Sequence, residues 1–162
     1  MNNFGKVLCI GDVILDSYCF GKVDRVSPEA PIPVLRLIKN QLKNLGGSGN
    51  VARNIIAANT ACHLISVIGK DDDAKAIKKL CKELKSLTFD LVVDRKRPTT
   101  KKVRFVSENQ QILRVDSEST AKIEKSIEAK ILNLFKQKIK EVGVVVISDY
   151  DKGMLSKSLI KK

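Results

Sequence analysis

Three carboxylates follow apolar runs in this chain. Asp12 and Asp16 lie in VLCIGDVILD (7–16), and Asp149 lies in VVVISDYDKG (144–153) with Lys152 close behind. An ionised carboxylate accepts two or more hydrogen bonds, so such a set suits a polyol whose neighbouring hydroxyls all donate. Open parallel sheets gather ligands at the carboxyl ends of their strands. The structural alternative is that an Asp after a strand simply closes a turn.

A second candidate is GGSGN (46–50), a Gly-rich turn leading into a helix. Gly46 and Gly47 would let backbone approach a ligand, and the helix start offers free N–H groups. Taken as GxGxxA (Gly47, Gly49, Ala52), with Asp71 further on, it is also a dinucleotide fingerprint. That fingerprint must follow a buried strand, and the polar NQLKNL (40–45) predicts none. A P-loop is excluded, because no Gly-Lys is followed by Ser or Thr in the required frame.

The third candidate, around 99–116, supplies amides at Asn109 and Gln111 and cations at Lys102 and Arg114. Lys and Arg both bind phosphate, although strand charges also blunt sheet edges. Alternation puts Lys102, Arg104 and Val106 on one strand face, so these groups are not all expected to converge.

The positioning elements follow from hydrophobic period. Apolar runs predict strands at 6–11, 62–69, 87–93 and 142–148. Amphipathic patterns predict helices at 49–59, 71–85 and about 120–141, with a helix beginning in 155–162. Asn59 stands where a left-handed helix cap prefers Gly. Alternating strands and helices argue for a parallel α/β sheet. VGVVVIS (142–148) carries the continuous apolar pattern of a strand covered on both faces. A short strand at 17–21, an edge strand at 33–38 after the Pro-rich SPEAPIPV, and a hairpin 99–107/111–116 around ENQ argue for a small separate lid sheet.

Composition narrows the function classes. The 162 residues suit one domain with a real core. The net charge is +12, but the lysines are interleaved with Glu on helix faces. Aromatics are 4% and Trp is absent, leaving no stacking platform for nucleic acid, so no specific nucleic-acid partner is expected. No apolar run approaches the ~20 residues of a membrane span, and no signal-peptide pattern opens the chain. A soluble, cytoplasmic protein is expected. Cys9, Cys19, Cys62 and Cys81 lack metal or redox spacing, and predict reduced, buried thiols. His63 is the lone histidine, so no metal site is expected.

GDVILD, RVSPEAPIPV (25–34), GGSGNVARN (46–54), RPTTKKVR (97–104), NQQILRVD (109–116) and SDYDKG (148–153) together resemble the ribokinase-like, phosphofructokinase-B type carbohydrate kinases. Within them the pattern is most similar to the heptose 7-phosphate kinase branch, often the first half of a bifunctional heptose kinase/adenylyltransferase. The resemblance covers residues 6 to about 157. It implies ATP- and Mg²⁺-dependent phosphorylation of a heptose 7-phosphate at its anomeric hydroxyl, on the ADP-heptose route to lipopolysaccharide. It also implies that Asp16, Gly46, Gly47 and Asn50 bind the sugar, that segments 17–38 and 99–116 form a lid, and that Asp149 and Lys152 sit at the matching strand end. Ser48 and Asn59 depart from the family's usual small residue and Gly.

The family's Gly-x-Gly-Asp motif, whose Asp is the catalytic base, has no match: the only Gly-Asp pair is Gly11–Asp12. The expectation is therefore an N-terminal, sugar-binding portion, 1–162, of a ribokinase-like parallel sheet with a β lid, truncated at its C-terminal half. No nucleotide site is expected in this chain, the base is expected beyond residue 162, and phosphoryl transfer by the chain alone is not expected. A homodimer through the lid, or association with a separately encoded C-terminal half, is the expected assembly. A non-catalytic sugar-phosphate-binding protein is the alternative, with a nicotinamide-binding domain behind it.

Overall fold

The computed structural model describes residues 5–38 and 41–161. Two sheets organise the chain. The core sheet is parallel, ordered β6-β5-β1-β9, from β1 (Val7–Gly11), β5 (Cys62–Ile68), β6 (Leu87–Val93) and β9 (Val144–Ser148). The lid sheet comprises β2 (Val13–Val26), β3 (Pro33–Leu37), β4 (Leu42–Gly47), β7 (Lys101–Ser107) and β8 (Gln110–Ser117). The helices are α1 (Ser48–Ala57), α2 (Asp72–Glu83), α3 (Lys125–Lys138) and a short α4 (Lys157–Ile160). None is long and apolar enough to cross a membrane.

Burial explains the core sheet. β1 and β5 are buried at every position, which is why they appear in sequence as continuous apolar runs. Alternate side chains feed two layers. Cys9 and Leu64 pack with Ala52 of α1 and Ile77 and Cys81 of α2. Leu8, Ile10, Ile65 and Val67 pack with Ile127 and Ile131 of α3, Met154, and Leu159 of α4. Val13, Leu15 and Leu45 of the lid share the first layer, so the base of the lid is part of the core. All four cysteines are free and buried, and burial pushes the thiols of Cys9 and Cys81 up to about 12.

Several expectations hold in detail: β6 spans 87–93, and Asn59 is left-handed at φ 58. Three need correction. The short strand expected at 17–21 is the middle of the fourteen-residue β2. One edge of β2 pairs with β4 and then β3, and the other pairs with β7. The polar stretch 40–45, expected not to be a strand, contains most of β4; residue 40 lies outside the described residues. For β4 the cause is its polar composition: a strand in a sheet with one charged face need not carry an apolar period. Finally, the helix expected from 120 begins at Lys125, leaving 118–124 as a loop.

β9 lies at the edge of the core sheet, and Val144 and Ile147 remain 42% and 53% exposed despite its apolar sequence. Beside it, Ile10, Ile131, Phe135, Leu155 and Ile160 line an apolar groove of about 80 Å³.

Candidate sugar-phosphate site

Strand register lays out the site in rows on one face of the lid sheet. Asn44, Asp16, Lys102 and Asp116 stand side by side across β4, β2, β7 and β8. The next row is Leu42, Tyr18, Arg104 and Arg114. A bulge between Phe105 and Val106 then brings Gln111 opposite Val106, which neighbours Phe20. Such a bulge re-aims the strand beyond it. Arg104, Lys102, Arg114 and Gln111 therefore share a face after all, whereas Asn109 occupies the turn, left-handed with Glu108.

Glycine makes room for the central carboxylate. A Cβ on Gly46 would fall 2.1 Å from Asp16 Oδ2. Asp16 accepts a 2.6 Å hydrogen bond from Arg104 Nη1, and the guanidinium also lies 5.2 Å above the Tyr18 ring. Arg104 is thus clamped between a carboxylate and an aromatic face. One Asp16 oxygen is engaged by this bond. The carboxylate retains lone pairs for hydroxyl donors.

Asp12 has a different task. Its Oδ2 accepts from the backbone N–H groups of Tyr150, at 2.9 Å, and Lys152, at 3.3 Å. It is 4% exposed, and burial raises its pKa against the lowering effect of those N–H groups. Gly47, at φ 55, lies so close that its Cβ would meet the Asp12 carbonyl oxygen at 2.2 Å. That carbonyl accepts from Ser48 N, and the Ser48 hydroxyl donates to Gly11 O at 3.1 Å. These bonds join the end of β1, the start of α1 and the loop after β9. Asp12 and Gly47 are buried in this junction.

The two sheets meet through alternating charges. Arg114 Nε donates to Asp116 at 2.9 Å, and Asp116 accepts from Lys102 Nζ at 2.6 Å. Lys102 also reaches Glu118 at 3.3 Å, and Glu118 accepts from Lys152 Nζ at 2.9 Å. Lys102 belongs to the lid and Lys152 to the loop after β9, so Glu118 connects the two. Its hydrogen bond from Lys152 holds the Glu118 carboxyl below the usual range, as the Lys102 bond does for Asp116. Beneath them Arg97 donates to Asp94, to Lys152 O and to Ala121 O, tying the two loops together.

The remaining sequence candidates are more peripheral. Asn50 accepts from Arg53 at 2.9 Å in the first turn of α1. Asp149 is exposed and accepts from Asp151 N within its own turn. Asp71, the acid of the dinucleotide pattern, caps α2 through Ala74 N and accepts from Thr99 N and Oγ1. The glycines do follow a strand, but β4 is antiparallel in the lid and not a parallel core strand. That arrangement does not support a nicotinamide site. Among the described residues no group of three or more His, Cys, Asp or Glu could hold a metal.

Sequence reasoning missed Arg97, Asp116 and Glu118 as site residues, and noted Arg104 only for its strand face. Asp116 was findable, because a hairpin around 108–110 puts it near Lys102. Glu118 was not, since it was placed just ahead of a long helix.

Comparison with known proteins places these features. The sequence profile of the pfkB family carbohydrate kinases matches residues 5–160. The chain is 44% identical over 154 residues to "Bifunctional protein HldE" of Nitratiruptor sp., covering 95% of this chain and 33% of that protein. It is 42% identical over 157 residues to the protein of the same name from Helicobacter pylori, covering 97% and 34%. It therefore spans about a third of the length of these curated relatives. Among solved structures, a possible 1-phosphofructokinase of Thermotoga maritima aligns with a TM-score of 0.69 at 18% identity, covering 88% of this chain and 44% of that one. A ribokinase from Giardia lamblia aligns at 0.63 and 17% identity, covering 97% and 50%. At such identities these two structures establish the fold.

Proposed function

This chain belongs to the pfkB family of carbohydrate kinases, and from that premise we propose that it is the sugar-recognising portion of an ATP-dependent heptose 7-phosphate kinase. The supporting observation is the pairing of Asp16 over Gly46 with the cations Lys102, Arg104 and Lys152 nearby. Asp16 accepts from sugar hydroxyls, and the cations receive the phosphate that the sugar already carries. The similarity to the two HldE proteins supports a seven-carbon sugar as substrate.

Phosphoryl transfer depends on groups positioned around the nucleotide and the attacking hydroxyl. The described residues offer no P-loop and no metal cluster, so no step through ATP or Mg²⁺ is assigned to them. What they do is bind and orient the acceptor. No residue of this chain is assigned as the base or to the nucleotide, and the chain spans about a third of the length of its HldE relatives. The exposed edge of β9 and its apolar groove are where further strands and helices of the kinase pack. The lid also exposes Leu113 and Val115 on the face opposite the charged rows, which supports pairing between two lids.

The test is calorimetric titration of a heptose 7-phosphate into the chain and two variants. Asp16→Asn is expected to weaken binding by roughly tenfold or more, since a charged acceptor contributes about 1.5–3 kcal/mol. Asp24→Asn, which removes an exposed partner of Arg36, is expected to bind as the native chain does. Equal losses in both folded variants would remove Asp16 from the site.

A further inference from the structure

We propose that Glu118 is a built-in counter-ion that a phosphate monoester must displace to bind in the lid, a displacement that a carboxylate-bearing ligand is too weakly charged to drive. This rests on the sugar-phosphate reading above and names the residue with which the phosphate competes. Glu118 sits between two ammonium groups from different sheets, Lys102 Nζ at 3.3 Å and Lys152 Nζ at 2.9 Å. Both lysine side chains are only 15% exposed, and Glu118 is 23% exposed. The bridge is therefore partly desolvated, where ion pairing is stronger than on an open surface.

Charge and geometry define what can take its place. Lys102 keeps a second partner, Asp116 at 2.6 Å, whereas Lys152 Nζ has Glu118 as its one ion-pair partner among the described residues. Displacing Glu118 thus strips Lys152 of its counter-ion and leaves Lys102 half satisfied. A carboxylate ligand brings one negative charge and two oxygens, the same as Glu118, and gains nothing by exchange. A neutral sugar leaves the bridge in place. A phosphate monoester brings about −1.5 to −2 charges and three terminal oxygens, so it satisfies both lysines better than Glu118 does. Because Glu118 lies in the 118–124 loop between β8 and α3, it can leave without disturbing a strand or helix. The phosphorylated sugar then takes over the link between lid and core.

The experiment titrates a heptose 7-phosphate, the same heptose without phosphate, and inorganic phosphate into the native chain, Glu118→Gln and Glu118→Ala. Removing the competitor is expected to tighten the two phosphate-bearing ligands by about tenfold and to leave the unphosphorylated heptose unchanged. Phosphate affinity that is unchanged or weaker in both variants overturns the proposal, and weakening of all three ligands together makes Glu118 a sugar ligand or a structural residue. If the native chain does not distinguish the phosphorylated heptose from the plain one, and neither variant does, the phosphate site itself is wrong. Preference by the native chain without a gain in the variants refutes only the role of Glu118.

Discussion

The core sheet and the lid sheet are built from opposite physics in one short chain. In the core, β1 and β5 bury every residue, and His63 is the only ionisable side chain of either strand apart from the thiols. In the lid, β8 is exposed at every position, and the central face carries Asp16, Lys102, Arg104, Arg114 and Asp116 in adjacent rows. The core is held by removing apolar area from water, which is insensitive to what is bound. The lid is held along that face by ion pairs, which salt screens. The arrangement puts the apolar core and the charged face in different sheets, joined at the Asp12 junction and the Glu118 bridge.

The largest effect expected from this contrast is in the core. Leu64→Ala, at a fully buried position between α1, α2 and the lid base, is expected to cost about 2–5 kcal/mol of folding stability. A urea titration followed by circular dichroism measures it. A loss well under 1 kcal/mol would mean that the first layer is not the stabilising centre.

A smaller effect separates the sheets by salt. Raising NaCl to about 1 M shortens the Debye length to about 3 Å. Partly exposed pairs such as Arg114–Asp116 then weaken by a few tenths of a kcal/mol each. Amide hydrogen exchange is expected to accelerate in β7 and β8 and to stay unchanged or slow in β1 and β5. Uniform change in both sheets would erase the distinction.

The smallest effect tests the one histidine, which lies in β5. His63 is 3% exposed, with Nδ1 2.7 Å from Thr88 Oγ1 and Nε2 2.8 Å from Asp90 Oδ2. Burial lowers its pKa below 6.5, and the Asp90 hydrogen bond only partly opposes this. In the window below 6.5 the unfolded chain binds more protons than the folded one, so stability rises with pH there and is lost on acidification. His63→Gln is expected to flatten that portion of the stability–pH curve, measured by urea midpoints. An unchanged slope would assign the pH dependence to other groups.

How legible each region was follows from the same division. Core strands announced themselves, because burial on both faces leaves a run such as CHLISVI with no other reading than a strand or helix segment. Asp71 and Gly47 were visible as a helix start and a tight turn, and the structure uses both in those capacities. The lid was harder. β4 reads as polar because Asn44 stands on the charged face and Lys43 on the opposite one, and β2 was seen only in part.

The sequence by itself determined the alternation of parallel strands and helices, the presence of a small extra sheet, and the carboxylates, glycines and cations from which the proposed site is drawn. It determined these because burial and turn chemistry act locally, over a few residues at a time. Only the tertiary structure decided which carboxylates are buried and which stand on an open face. Asp12 and Asp16 are four residues apart in similar sequence settings. One is buried by a loop that returns from position 150, and the other is left on an open face by Gly46. Glu118 acquires its role from two lysines, sixteen residues before it and thirty-four after. Charge pairs over such separations depend on sheet register and loop return, which no local pattern encodes.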